Sequence, residues 1–167
     1  MARVIVRLGN DISTDVIYPG RYMATVLPSE TPQYAFANDP EVNAQLRDEK
    51  LPKGSVIVAG KNFGCGSSRE QAVSTLAGFG LTIVAEGIAR IFLQNAINLG
   101  LKVVIAPGVD ASAGDDLEFL EGCVVNRTTG RSFEIVPMPK SRQMILDAGG
   151  LIEYTRRRLV ATSAAAG

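Results

Sequence analysis

Apolar residues recur along the chain in short runs separated by turn-forming clusters. Val4-Ile5-Val6 reads as a strand. Gly9 to Leu27 is polar and turn-rich, broken at Pro19-Gly20. Glu41 to Arg47 forms a short helix after Pro40. Three continuous apolar runs follow: Ser55–Ala59, Leu81–Ala85 and Val103–Ile105. Runs of this kind suit strands covered on both faces. Between them lie two helical patterns. One covers Arg69–Ala77; the other covers Ile88–Leu99, with Ile88, Ile91, Phe92, Ala96 and Leu99 on one stripe and Gly100 as its C′ residue. Strands alternating with helices predict parallel pairing through right-handed crossovers. Beyond them the pattern changes. Cys123–Arg127 and Ser132–Val136 flank Thr128-Thr129-Gly130, a hairpin signal. Ser141–Ala148 is helical before Gly149-Gly150. Leu151–Val160 is a last helix, with Arg156-Arg157-Arg158 on a solvated face. Ala161–Gly167 reads as a frayed tail.

At 167 residues the chain fits one domain, 1–167, without internal repeats. A chain of this size buries roughly 70% of its unfolded surface and can build its own core. Lys plus Arg and Asp plus Glu both number 17, so the net charge is zero. That weighs against nucleic acid as a partner, which a basic field would attract. There is no histidine. An imidazole-based triad, a zincin motif and a histidine proton shuttle are therefore excluded. Two cysteines, Cys65 and Cys123, are too few for a disulfide framework or for a whole iron–sulfur cluster. They point to a reducing compartment. No apolar run approaches membrane-spanning length, and Arg7 interrupts any signal-peptide core near the start. The expectation is a cytoplasmic protein with no membrane partner.

The segment with most chemical content is Gly60-Lys61-Asn62-Phe63-Gly64-Cys65-Gly66-Ser67-Ser68-Arg69-Glu70. Its glycines allow tight turns and close approach of another group. It opens a helix, where free amides and the dipole favour an anion. Two readings stand side by side. Ser67 with Glu70, or Ser68 with Gln71, matches a capping box. The same serines with Arg69 could hold a carboxylate. A Walker phosphate loop is not matched, because Lys61 sits at the wrong end. Cys65 reads as a small filler and Cys123 as a strand residue. Upstream, Asp11-Ile12-Ser13-Thr14-Asp15-Val16-Ile17-Tyr18-Pro19 is either a polar turn or a second half of a site.

Taken together, several segments resemble the small subunits of 3-isopropylmalate dehydratase, which are similar to the swivelling C-terminal domain of aconitase. They are Gly9–Tyr22, Gly60–Glu70, Ala89-Arg90-Ile91-Phe92 with Asn95–Leu101, and Ala148-Gly149-Gly150-Leu151. The resemblance implies an α/β fold of layered β/β/α type with a partly parallel central sheet. It implies a large catalytic subunit as partner, in a heterodimer or heterotetramer, carrying a [4Fe–4S] cluster; this chain would bind no metal alone. It implies reversible dehydration and rehydration of a small hydroxy acid, the step that isomerises 2- and 3-isopropylmalate in leucine biosynthesis. By the same match Ser67 is the base, acting as an alkoxide. Ser68, Arg69 and Gly66 stand at the substrate carboxylate. Thr14 and Asp15 are the family's Thr-Asp pair, with Thr14 at the substrate and Asp15 orienting a histidine of the large subunit. Gln71 departs from the family, which has histidine there.

The segment Met23-Ala24-Thr25-Val26-Leu27 resembles the family's substrate-recognition loop. A substrate with an extra carboxylate needs a cation there, because burying an unpaired charge is costly. Ala24 and Thr25 stand where homoaconitase-type subunits place an arginine, so an apolar side group is expected. Arg21, just before the loop, could turn inward. The alternatives are a subunit of a 2,3-dimethylmalate dehydratase or homoaconitase, or a non-catalytic module binding an anion or RNA. Apolar surface left without its partner could drive self-association.

Overall fold

The structure is a computed structural model that describes residues 1–25 and 27–165. Among the described residues, seven strands form one sheet. β1 (Ala2–Arg7), β2 (Val56–Ala59), β3 (Thr82–Ala85) and β4 (Lys102–Ile105) are parallel, in the order β4-β3-β2-β1. β5 (Asp116–Leu120), β6 (Cys123–Asn126) and β7 (Ser132–Glu134) continue the sheet antiparallel beyond β1. The α-helices of the same residues are α1 (Thr14–Ile17), α2 (Pro40–Leu46), α3 (Glu70–Gly78), α4 (Arg90–Leu99), α5 (Lys140–Asp147) and α6 (Leu151–Ala165).

The apolar runs explain this layering. Side chains alternate across a strand. Ile57, Ala59, Ile83, Ala85 and Val103 enter one core with Ala72, Val73 and Leu76 of α3 and Phe92 and Ala96 of α4. Val56, Val58 and Val84 enter a second core with Leu117, Val124 and Phe133 of the antiparallel strands. The sheet therefore curls, and its antiparallel half covers the face opposite the helices. The Val136 amide donates to the Ile105 carbonyl at 2.8 Å, so the chain after β7 reaches the edge strand β4. The expected β/β/α arrangement is the one observed.

Three local expectations need correction. The capping box is not formed. Arg69 occupies the N-cap of α3, and no side chain caps it; Ser67 turns to a partner 53 residues away instead. The expected frayed tail at Ala161–Gly167 is helical as far as Ala165, and residues 166 and 167 lie outside the described residues. Alanine is the strongest helix former, and Thr162 donates its hydroxyl to the Arg158 carbonyl at 2.9 Å. Finally, β5, α1 and two short 3-10 helices, Gly20–Tyr22 and Thr31–Tyr34, add to the elements expected from the sequence.

Candidate functional site

The Gly-rich loop leaves the end of β2 and runs beside residues 10–14, which leave the end of β1. The two segments are zipped by their backbones. Asp11 N–H donates to the Lys61 carbonyl at 2.9 Å, Gly64 N–H to Ile12 at 2.7 Å and Thr14 N–H to Cys65 at 2.8 Å. Side chains add to this: the Asn10 Oδ1 accepts from the Lys61 amide, and the Asn62 Nδ2 donates to Asp11 Oδ1, both at 2.8 Å. Because β1 and β2 are parallel neighbours, their C-terminal loops meet at one end of the sheet. Ligand sites of parallel sheets form at this end.

Gly66 has φ +94°, a conformation that L side chains rarely adopt. It turns the chain so that Ser67 comes back over α1. The Thr14 Oγ1 lies 3.2 Å from Ser67 Oγ and 3.1 Å from the Ser67 carbonyl oxygen. Thr14 is 2% exposed. Its position is fixed by α1, which Ser13 caps through the Val16 amide at 3.2 Å. The next residue, Asp15, accepts a short charged contact from Arg69 Nη1, which also donates to the Tyr18 carbonyl at 3.3 Å. The Arg69 side chain is only 19% exposed, while Asp15 is 59% exposed. The guanidinium is thus anchored from below by one carboxylate and one carbonyl, and it lines a cleft.

That cleft, about 520 Å³, has Ser67, Ser68 and Arg69 on its wall with Met23, Pro28, Glu70, Gln71, Ser74 and Leu99. Sequence reasoning placed Ser67, Ser68 and Arg69 together, and the fold brings them together. Thr14 and Asp15 lie behind the wall, against Ser67 and Arg69. Gly66 borders Thr14 closely: a Cβ at this glycine would stand 3.5 Å from Thr14 Oγ1. Arg21 does not line the cleft; its guanidinium lies over the Tyr22 ring, 4.7 Å from the centroid. Ala24 is exposed and Thr25 half-buried, neither on the cleft wall. Met23 is the residue of that loop that reaches it; Val26 lies outside the described residues.

Tyr18 and Tyr34 are support residues that motif reasoning missed. Tyr18 is fully buried, and its hydroxyl donates to the Tyr22 carbonyl at 3.1 Å. Burial pushes its phenol pKa up from the ordinary value, so it stays a neutral donor. Tyr22 stacks on Tyr34 with centroids 4.2 Å apart. These contacts tie residues 22–25 to the core. The cluster of Tyr18, Tyr22 and Tyr34 among turn formers was the available signal. Leu99 and Ser74 reach the cleft from the helices and carried no signal of their own.

Cys65 and Cys123 are both free thiols. Among the described residues no three His, Cys, Asp or Glu side chains gather to hold a metal ion. The donor set does not fit an iron–sulfur cluster. Among the same residues, no helix is long and apolar enough to cross a membrane.

Residues 16–106 match the family model described as the aconitase C-terminal domain. The chain is 46% identical over 155 residues to 3-isopropylmalate dehydratase small subunit 1 of Methanopyrus kandleri, covering 89% of this chain and 88% of that one. It is 40% identical over 159 residues to the isopropylmalate/citramalate isomerase small subunit of Methanocaldococcus jannaschii, covering 92% of each. The crystal structure of 3-isopropylmalate dehydratase from the latter organism superposes with a TM-score of 0.86 at 36% identity, over 97% of this chain and 96% of that one. A matching domain model over more than half the chain, near-complete coverage of the relatives and a shared fold place this chain in the family of 3-isopropylmalate dehydratase small subunits, built on the aconitase C-terminal domain.

Proposed function

We propose that this chain is the small subunit of a hydro-lyase that interconverts 2- and 3-isopropylmalate with a large subunit, in leucine biosynthesis. The observation that carries this is the cleft wall on which Ser67, Ser68 and Arg69 stand together, with Arg69 anchored by Asp15 and Tyr18. The large subunit carries the [4Fe–4S] cluster, because the two thiols here are too few to hold it. The cytoplasm is the expected site of the complex.

Each residue has a distinct task. Arg69 offers a planar fork to a substrate carboxylate, and its anchoring lowers the entropy cost of binding. Ser68 adds a hydroxyl next to it. Ser67, exposed at the cleft, takes the proton from the carbon beside a carboxylate. A serine alkoxide needs preorganised donors, and the unpaired first-turn amides of α3 follow Ser67 closely in the chain. Asp15 aligns Arg69 within this chain and keeps an exposed oxygen for a group of the large subunit. Gln71 keeps hydrogen-bonding capacity without charge where the family has histidine. Met23 and Leu99 give the cleft an apolar side, which suits an isopropyl group better than a further carboxylate.

The test is reconstitution. This chain is mixed anaerobically with the large subunit of the same organism, its cluster rebuilt. Absorbance then follows the unsaturated acid from 3-isopropylmalate, 2,3-dimethylmalate, citramalate and homocitrate separately. Turnover of 3-isopropylmalate by the mixture alone is expected. Turnover confined to another malate would keep the mechanism and overturn the specificity; a complex with an intact cluster and no turnover would overturn the function.

A further inference from the structure

We propose that the buried Thr14 hydroxyl is a two-position proton donor that serves the Ser67 carbonyl when Ser67 is neutral and the Ser67 Oγ when it is an oxyanion. The inference rests on Ser67 acting as the base. Thr14 Oγ1 stands almost equally far from both atoms, at 3.1 Å from the carbonyl oxygen and 3.2 Å from Oγ. A hydroxyl has one proton and two lone pairs. The carbonyl can only accept. With Ser67 protonated, Thr14 therefore donates to the carbonyl and accepts from Ser67, and both contacts are satisfied. With Ser67 deprotonated, the second contact has no proton unless Thr14 turns its own toward Oγ. That bond is charge-assisted and roughly twice as strong as a neutral one. The carbonyl left behind keeps a donor, because the Arg69 backbone amide donates to it at 2.9 Å.

The change is one rotation about the Thr14 Cβ–Oγ1 bond, with no heavy atom moving. The heavy atoms are well held. Thr14 is 2% exposed, its amide donates to Cys65, and its β-branched side chain has restricted χ1. In the forward step the substrate C–H bond breaks and its proton joins Ser67 Oγ. The C–H electron pair becomes the second bond of the alkene, and the hydroxyl on the adjacent carbon leaves as hydroxide. Thr14 then returns its proton to the carbonyl. Thr14 touches no reacting carbon; it is a positioning residue that lowers the pKa of Ser67.

Thr14→Val removes the hydroxyl at constant shape, and Thr14→Ser keeps it. In the reconstituted complex, Thr14→Val should lower kcat by about 100-fold, the usual effect of removing one oxyanion donor. KM should stay near the wild-type value, and the rising limb of the kcat–pH profile should move to higher pH. Thr14→Ser should recover most of the rate and return the limb. Gel filtration checks assembly; if Thr14→Val fails to assemble, Thr14→Ala carries the same comparison with Thr14→Ser. A raised KM with unchanged kcat would make Thr14 a substrate contact and overturn the proposal. So would a Thr14→Ser variant as slow as Thr14→Val, which would mean packing, or an unmoved pH limb. Wild-type turnover that survives Ser67→Ala would instead overturn the base assignment on which the proposal stands. An inactive wild-type complex would overturn both.

Discussion

Alanine at Gly64 and at Gly130 separates two costs that usually arrive together. The two glycines share nearly the same φ, +77° and +76°. An L residue in this left-handed region loses about 1–2 kcal/mol. Their surroundings differ completely. A Cβ on Gly130 would meet nothing within 4 Å, whereas one on Gly64 would stand 2.2 Å from the Phe92 Cγ. Phe92 cannot simply swing aside. It is 2% exposed and packs edge-to-face on Phe63, with centroids 5.2 Å apart. Overpacking a well-filled core of this kind costs a further ~1–3 kcal/mol. The total for Gly64→Ala is then about 2–5 kcal/mol. At roughly 2–4 °C per kcal/mol for a chain of this size, Gly130→Ala should lower Tm by about 2–8 °C and Gly64→Ala by about twice that or more. Thermal unfolding followed by circular dichroism, at matched protein concentration, reads both. Phe92→Ala in the Gly64→Ala background should cost less than Phe92→Ala alone, because it removes the Cγ and Cδ2 that the new Cβ would meet. Equal Tm losses at the two glycines, or strictly additive losses for Gly64→Ala and Phe92→Ala, would refute the close packing of the Gly-rich loop on α4.

Other outcomes follow from the site and its supports. Arg69→Lys should lower kcat/KM by about tenfold or more, measured by steady-state kinetics of the complex, because a point charge does not replace the planar fork. Gln71→His should leave turnover within a few-fold of wild type. Gln71→Glu should raise KM for a dicarboxylate, since it adds a like charge to the cleft wall; KM at several salt concentrations checks this. The Ser112 amide and then the Asn126 side chain hold the Asp115 carboxyl below its ordinary pKa of 3.8. A depressed carboxyl stabilises the fold above its unfolded pKa and loses that effect as pH falls through the folded value. Asp115→Asn should therefore lower Tm at neutral pH and flatten the acid side of the Tm–pH curve below about pH 4, where the wild type has already lost this contribution.

The parallel half of the fold was legible because its strands are buried on both faces. Val56–Ala59 and Thr82–Ala85 are uniformly buried, and such runs have few other uses. α4 was legible in extent but not in orientation. Ile88 belongs to the loop before it, where it pairs with Phe63, and Ile91 is 53% exposed. The buried stripe is Phe92, Ala96 and Ile97, set by where the helix actually starts. β5 carried a readable alternation in Asp116-Leu117-Glu118-Phe119, with Leu117 fully buried. Its pairing with β1, more than a hundred residues away, was not readable, because register across such a separation depends on tertiary packing. At the site, the residue types in the Gly-rich loop pointed to an anion. Local spacing also favoured a capping box, and it failed because Ser67 gains a buried partner in Thr14 that no local rule includes. The same long-range contact moved Thr14 from the cleft to the layer behind it. Arg21 was available to the cleft by sequence and is instead drawn onto the Tyr22 ring.

The central claim is that Ser67 is the group that moves the proton. Its most direct test is turnover of 3-isopropylmalate by the complex carrying Ser67→Ala, with assembly confirmed by gel filtration and substrate binding by calorimetry. The predicted result is an assembled complex that binds substrate with near wild-type affinity and has lost turnover by about 10⁴-fold or more. An assembled complex that turns over within tenfold of wild type would contradict it.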